Sequence, residues 1–286
     1  MPTTKQCNGP YQVATAATEG YLPYLACHLL TLGENGSKEV PLEITVIHRG
    51  IPIEAQRGLE ALIPYPHSLR WIEPQKSLLE KIGAPLDFAA CSPHYFRLLI
   101  PYLLPDHRRA IYLDADTMVL NDISSLWNTD LEGHAIAAVL DYLPCIRDAV
   151  SNWRELHVDP DAPYLNSGVL VMDLARWTSE KISLRVLKVC RENQAHLWAH
   201  GKWPQFDQYG LNVVLAGRWK ALDPMWNRGT DLPQTAARII HYLGNGKPGL
   251  ATCQPVFNQL FFDVLRRTPY RDWLPVSNSE KPALVA

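Results

Sequence analysis

The N-terminal part of the chain alternates between short apolar runs and longer amphipathic ones, and this alternation limits the fold more than any other feature. Gln12 to Thr18 (QVATAAT) reads as a strand and Tyr21 to Leu32 as a helix. Leu42 to His48 (LEITVIH) is a second strand, Pro52 to Leu62 a helix, and Ser68 to Ile72 (SLRWI) a third strand. This order predicts βαβ units on a parallel sheet. Ligands of such sheets gather beyond the carboxyl ends of the strands. Two polar segments fall there: Thr18-Glu19-Gly20-Tyr21, and Asp114-Ala115-Asp116 after the strand Ala110 to Leu113. Further along, Pro93 to Leu104 is expected to be helical in part, with Pro101 bending or ending it. Gly168 to Met172 reads as a strand. Leu174 to Trp177, Ile182 to Arg191 and Phe206 to Leu215 read as helical.

With 286 residues, 47% of them hydrophobic, the chain can bury a sizeable core as one large domain or two small ones. Its formal net charge of -2 provides no basic field, which excludes nucleic-acid binding as the main task and makes any phosphate site local. Cys7, Cys27, Cys91, Cys145, Cys190 and Cys253 form no C-x-x-C pair, so they read as reduced thiols of a cytosolic protein. Met1 to Asn8 lacks the charged start and apolar run of a signal peptide, and no apolar stretch is long enough to span a bilayer. Val256 to Arg267 is amphipathic, with Phe257, Leu260, Phe261, Val264 and Leu265 along one side. Packing on its own domain is its expected use, and a peripheral membrane contact is the alternative.

Four constellations carry chemistry. In Tyr112-Leu113-Asp114-Ala115-Asp116, two carboxylates one residue apart lie between apolar runs. Burying such a pair needs a compensating charge, and a divalent cation with oxygen ligands supplies it. In Asn166-Ser167-Gly168, polar groups at the mouth of a buried strand suit either sugar hydroxyls or turn chemistry. In Asp207-Gln208, the acid is a candidate helix N-cap, and the amide can donate to and accept from a substrate. In Ile239-Ile240-His241-Tyr242-Leu243-Gly244-Asn245-Gly246-Lys247, a strand-end imidazole can complete a metal shell. The glycines there let backbone amides approach a phosphate beside Lys247.

In this order the segments resemble the family 8 glycosyltransferases, over roughly Gln12 to Pro248. Tyr95-Phe96-Arg97-Leu98 belongs to the same ordered set. The resemblance implies an α/β GT-A fold, with a Rossmann-like mixed central sheet flanked by helices. The expected domain spans residues 10–250, with a C-terminal helical extension and tail over 251–286. It further implies that Asp114, Asp116 and His241 hold one Mn²⁺, with Mg²⁺ as the alternative, against a UDP-hexose. Thr18, Gly20 and Tyr21 would meet the base, and Arg97, Ala115, Gly244 and Lys247 the sugar and phosphates. Asp141, Asn166, Asp207 and Gln208 would surround the transferred hexose. The expected activity is retaining transfer of galactose or glucose to a glycan or small hydroxyl acceptor by a cytoplasmic enzyme, with a place at the inner membrane face left open. Two rival readings are a haloacid-dehalogenase-type phosphatase using Asp114 and Asp116, and a non-catalytic sugar-nucleotide binder.

Overall fold

The structure is a computed structural model that describes residues 9–82, 93–199, 203–231 and 236–275. Met1 to Asn8, with Cys7, lies outside the described residues, as do Cys91 and the end of the tail. Strands β1 (Tyr11–Thr18), β2 (Leu42–Arg49), β3 (Ser68–Ile72), β4 (Arg109–Leu113), β5 (Thr117–Val119), β6 (Ile136–Cys145) and β7 (Pro163–Asp173) are joined by helices and turns. The main sheet runs from the short strand Lys220–Ala221 through β6, β7, β4, β1 and β2 to β3. Pairing is parallel from β4 through β1 and β2 to β3, as the βαβ alternation predicts, while β7 runs antiparallel to both β4 and β6. The sheet is therefore mixed.

The centre of the sheet shows why these sequences are strands. β1 is flanked on both sides and covered on both faces, so apart from Gln12 it reads as a run of apolar or small residues rather than an alternation. Val13 and Ala17 enter one apolar cluster, and Ala14 and Ala16 enter the other. Helix Leu22–Asn35 covers the first cluster with Leu25, Leu29 and Leu32 fully buried. Truncating Leu29 to Ala in such a site costs about 2–5 kcal/mol. On the other face, helices Ile182–Glu192 and Phe206–Leu215 pack together. Gly210 permits that approach, because an added Cβ would lie 2.5 Å from Cys190 Sγ.

Three local readings differ from the sequence expectation. Pro101 does not end a helix; a 3-10 turn spans Pro93–Leu99, and Pro101 sits in the first turn of Ile100–Leu103, where its missing N–H costs nothing. β7 begins at Pro163 rather than at Gly168, because Tyr164 and Leu165 are buried in the pairing with β6. The cap of helix Phe206–Leu215 is Gln205, so Asp207 lies inside the first turn and is free to face elsewhere.

Helix Pro255–Leu265 turns Phe257, Phe261, Val264 and Leu265 inward. Tyr24 lies against Phe261, and the Tyr242 hydroxyl donates to Phe257 O at 2.8 Å. The apolar side thus packs on its own domain. Among the described residues no helix is long and apolar enough to cross a membrane.

Candidate active site

The paired acids sit on a stiff turn between β4 and β5. Thr117 closes it, its N–H reaching Asp114 O at 3.1 Å and its hydroxyl donating to the same oxygen at 2.8 Å. Asp114 N donates to Gly168 O, and Tyr242 N donates to Asp116 O, which ties the turn to strands on both sides. Beneath it lies His28, fully buried, with Nδ1 3.0 Å from the Thr117 hydroxyl. Burial lowers the His28 pKa to about 4, so the ring is a neutral prop.

β5 pairs antiparallel with the strand Ile239–His241, and that register sets His241 across from Thr117. The imidazole Nε2 then lies 3.1 Å from Asp116 Oδ1 and 3.7 Å from Asp114 Oδ2. One ligand atom from each of Asp114, Asp116 and His241 falls within 4.8 Å of the others. Two carboxylates with one imidazole suit a divalent cation of the manganese or magnesium kind. Gly168 makes the convergence feasible, since a Cβ there would lie 2.2 Å from His241 Cε1 and 2.9 Å from Asp114 Oδ2.

Two cations brace the acids. Lys247 Nζ bonds Asp116 and stands 5.0 Å from the Tyr21 ring centroid and 4.6 Å from that of Tyr24. Burial disfavours charge on Asp116, but Lys247 and then His241 outweigh it and hold its carboxyl well below the usual range. Buried Arg97 reaches Asp114 Oδ1 at 3.1 Å and Asp207 Oδ2 at 2.7 Å, bonds Ser167 O, and lies over the Tyr112 ring. The Tyr112 hydroxyl donates to Asp114 Oδ1 at 2.7 Å. Burial raises the Asp207 carboxyl to about 7, against the pull of Arg97. Burial also works against charge on Arg97, but Asp114 and Asp207 keep its guanidinium ionised.

Beside this charged pole is a cluster of amides. Asp141 accepts from Leu143 N at 3.0 Å, Asn166 Nδ2 at 2.8 Å and Gln208 Nε2 at 3.1 Å. Even so, burial raises its pKa. Gln208 Oε1 accepts from Ser167 N at 2.9 Å, and its Nε2 also donates to Gln205 Oε1 at 2.7 Å. Asn166 is likewise engaged at both ends, because its Oδ1 accepts from Gly168 N and Asn227 Nδ2.

A cleft opens between the end of β1 and the acidic turn, lined by Thr18, Tyr21, Arg97, Asp114, Ala115 and Asp116 among others. Gly20 lies in the 3-10 turn Glu19–Tyr21, where an added Cβ would meet nothing. Gly244, at φ +50°, opens the turn Gly244–Gly246 that delivers Lys247. Sequence reasoning missed Tyr24, Gln205 and Asn227. Tyr24 follows Tyr21 at helical spacing and was open to detection. Asn227 lies in a loop with no local signature.

A family model, Glycosyl transferase family 8, matches residues 12–253. General stress protein A of Bacillus subtilis (strain 168) is 25% identical over 93% of this chain and 96% of its own length. Probable galacturonosyltransferase-like 3 of Arabidopsis thaliana is 27% identical over 59% of this chain, which spans only about half of that relative (54%). Glycosyltransferase GlyB of Streptococcus pneumoniae serotype 4 is 30% identical over 71% of the chain and 43% of its own length. Among solved structures, the galactosyltransferase LgtC in complex with donor and acceptor sugar analogues superposes with a TM-score of 0.73 at 19% identity. That match covers 94% of this chain and 98% of LgtC. The bifunctional glycosyltransferase WbbM superposes at 0.74 with 19% identity, over 93% of this chain and 51% of that one. These likenesses establish the GT-A fold. They leave the phosphatase reading without support.

Proposed function

The chain belongs to glycosyltransferase family 8 and is a glycosyltransferase. From that premise we propose that it moves a hexose, galactose or glucose, from a UDP-sugar to a saccharide or other hydroxyl acceptor, with retention at the anomeric carbon. In this reading Asp114, Asp116 and His241 hold Mn²⁺, or Mg²⁺ in its place. The observation that carries the reading is the convergence of those three ligand atoms within 4.8 Å beside the cleft.

The cation, when bound, supplies positive charge at the donor diphosphate. Breaking the anomeric C–O bond leaves its electron pair on the departing UDP, and Lys247 and the Gly244 backbone stabilise that charge where it develops. Thr18, Gly20 and Tyr21 receive the base. Ala115 carries the backbone between the two acids. Arg97 holds Asp114 and Asp207 in place beside the hexose. The acceptor oxygen attacks from the face that UDP leaves, and its proton passes to a departing phosphate oxygen. Asp141, Asn166 and Gln208 form the wall around the sugar. Asp207 is a poorer nucleophile candidate than its sequence position suggests. Its carboxyl is buried and pairs with Arg97 at 2.7 Å, which favours same-face attack over a covalent intermediate.

A thermal-shift and hydrolysis screen over nucleotide sugars, with and without Mn²⁺, tests this reading. UDP-galactose or UDP-glucose should stabilise and be consumed only with the cation. UDP-galacturonate belongs in the screen because the plant relatives are named for that sugar. Cation-independent turnover, or turnover of UDP-galacturonate alone, overturns the cation or the sugar assignment respectively.

A further inference from the structure

We propose that Asn227 is a positioning residue of the cation site, which fixes His241 as the Nδ1–H tautomer and so points the Nε2 lone pair at the two acids. The inference rests on the cation reading above.

The argument starts at a group that cannot flip. Gly168 N–H is backbone, and it lies 3.0 Å from Asn166 Oδ1, so that atom is an acceptor and must be oxygen. The other end of the Asn166 amide is then NH₂, and it faces Asp141 Oδ2 at 2.8 Å, as a carboxylate acceptor requires. Asn227 also meets Asn166 Oδ1, at 2.7 Å. Two carbonyl oxygens would repel there, so Asn227 presents its NH₂, and its own Oδ1 is left facing His241 Nδ1 at 2.8 Å. An oxygen acceptor at that distance requires a proton on Nδ1. The remaining ring nitrogen, Nε2, is the one that lies 3.1 Å from Asp116 and 3.7 Å from Asp114.

The donors therefore run in one direction, from His241 through Asn227 and Asn166 to Asp141. The carboxylate at the far end orients the whole series. Such outer partners fix ring orientation and tautomer at metal-binding histidines, and losing one typically lowers cation affinity about 10–100-fold. Asn166 belongs to the same device, since both ends of its amide are taken up within it.

The tautomer can be read in the native chain without any cation, from the ¹⁵N shifts of the His241 ring. A proton on Nδ1 is expected, whether or not Nε2 also carries one toward Asp116, and a bare Nδ1 overturns the proposal. Mn²⁺ titration followed by electron paramagnetic resonance then compares Asn227→Ala with Asn227→Asp. The alanine variant should bind Mn²⁺ about 10–100-fold more weakly. The aspartate variant, which keeps an oxygen facing Nδ1, should recover most of that loss. Wild-type affinity in Asn227→Ala, or equal losses in both variants, overturns the proposal. Absence of Mn²⁺ binding by the native chain, with Nδ1–H still found, instead overturns the cation reading and leaves the tautomer assignment standing.

Discussion

Asp116 and Asp141 are both largely shielded carboxylates of the same site, yet the fold compensates them in opposite ways. Asp116 faces the Lys247 ammonium on one oxygen and the His241 ring on the other, and is held ionised. Asp141 faces only the N–H groups of Leu143, Asn166 and Gln208, and burial raises its pKa in spite of them. The first is a durable anion whose counter-charge suits a divalent cation. The second is an anchor whose oxygens are already committed to holding amides in register. Acids of one site thus divide into one compensated by a charged side chain and one compensated by neutral N–H donors.

The sharpest way to break this division is at the charged end. Asp116→Ala and Asp114→Ala should each remove several kcal/mol of transition-state stabilisation, on the order of a 10³-fold loss of turnover. Release of UDP from the donor measures it, and near-normal rates in either variant would falsify the division. Next in size is Lys247→Ala, expected to lower kcat rather than raise KM, because the ammonium acts on charge that develops during departure. Steady-state kinetics separates the two outcomes. Gly168→Ala should follow. The new methyl group would push His241 and Asp114 apart at a strain of about 1–3 kcal/mol, visible as weaker Mn²⁺ binding in calorimetry.

At the amide end the effect moves from rate to stability. Asp141→Ala leaves three N–H donors without their acceptor, and should cost about 1–3 kcal/mol in denaturant unfolding. The smallest effect is the pH dependence of Asp207. Its folded carboxyl, raised to about 7, keeps a proton that the unfolded chain has already lost. Its contribution to stability is therefore full below the unfolded pKa and disappears as pH rises through about 7. Asp207→Asn should flatten that slope, and an unchanged slope would assign it to another group.

Much of this was legible in the sequence, for reasons that can be stated locally. The βαβ alternation announced β1, β2 and β3, and a strand ending in two acids announced the turn at Asp114 and Asp116. Two β-branched residues before His241 marked its strand, although only the antiparallel register with β5 brings it to the acids. What stayed hidden depends on contacts between distant segments. Gln208 looked like a free amide, but it is engaged by Ser167, Gln205 and Asp141. Asp207 looked like a cap, and instead reaches Arg97. Asn227 carried no pattern, because its role exists only where His241 and Asn166 meet.

The most direct measurement is an anomalous-difference map, at the manganese edge, of crystals soaked with Mn²⁺ and UDP. The expected result is one peak enclosed by Asp114, Asp116 and His241 with diphosphate oxygens on its open side. A peak elsewhere in the molecule, with UDP bound and those three side chains bearing no ion, would contradict the account.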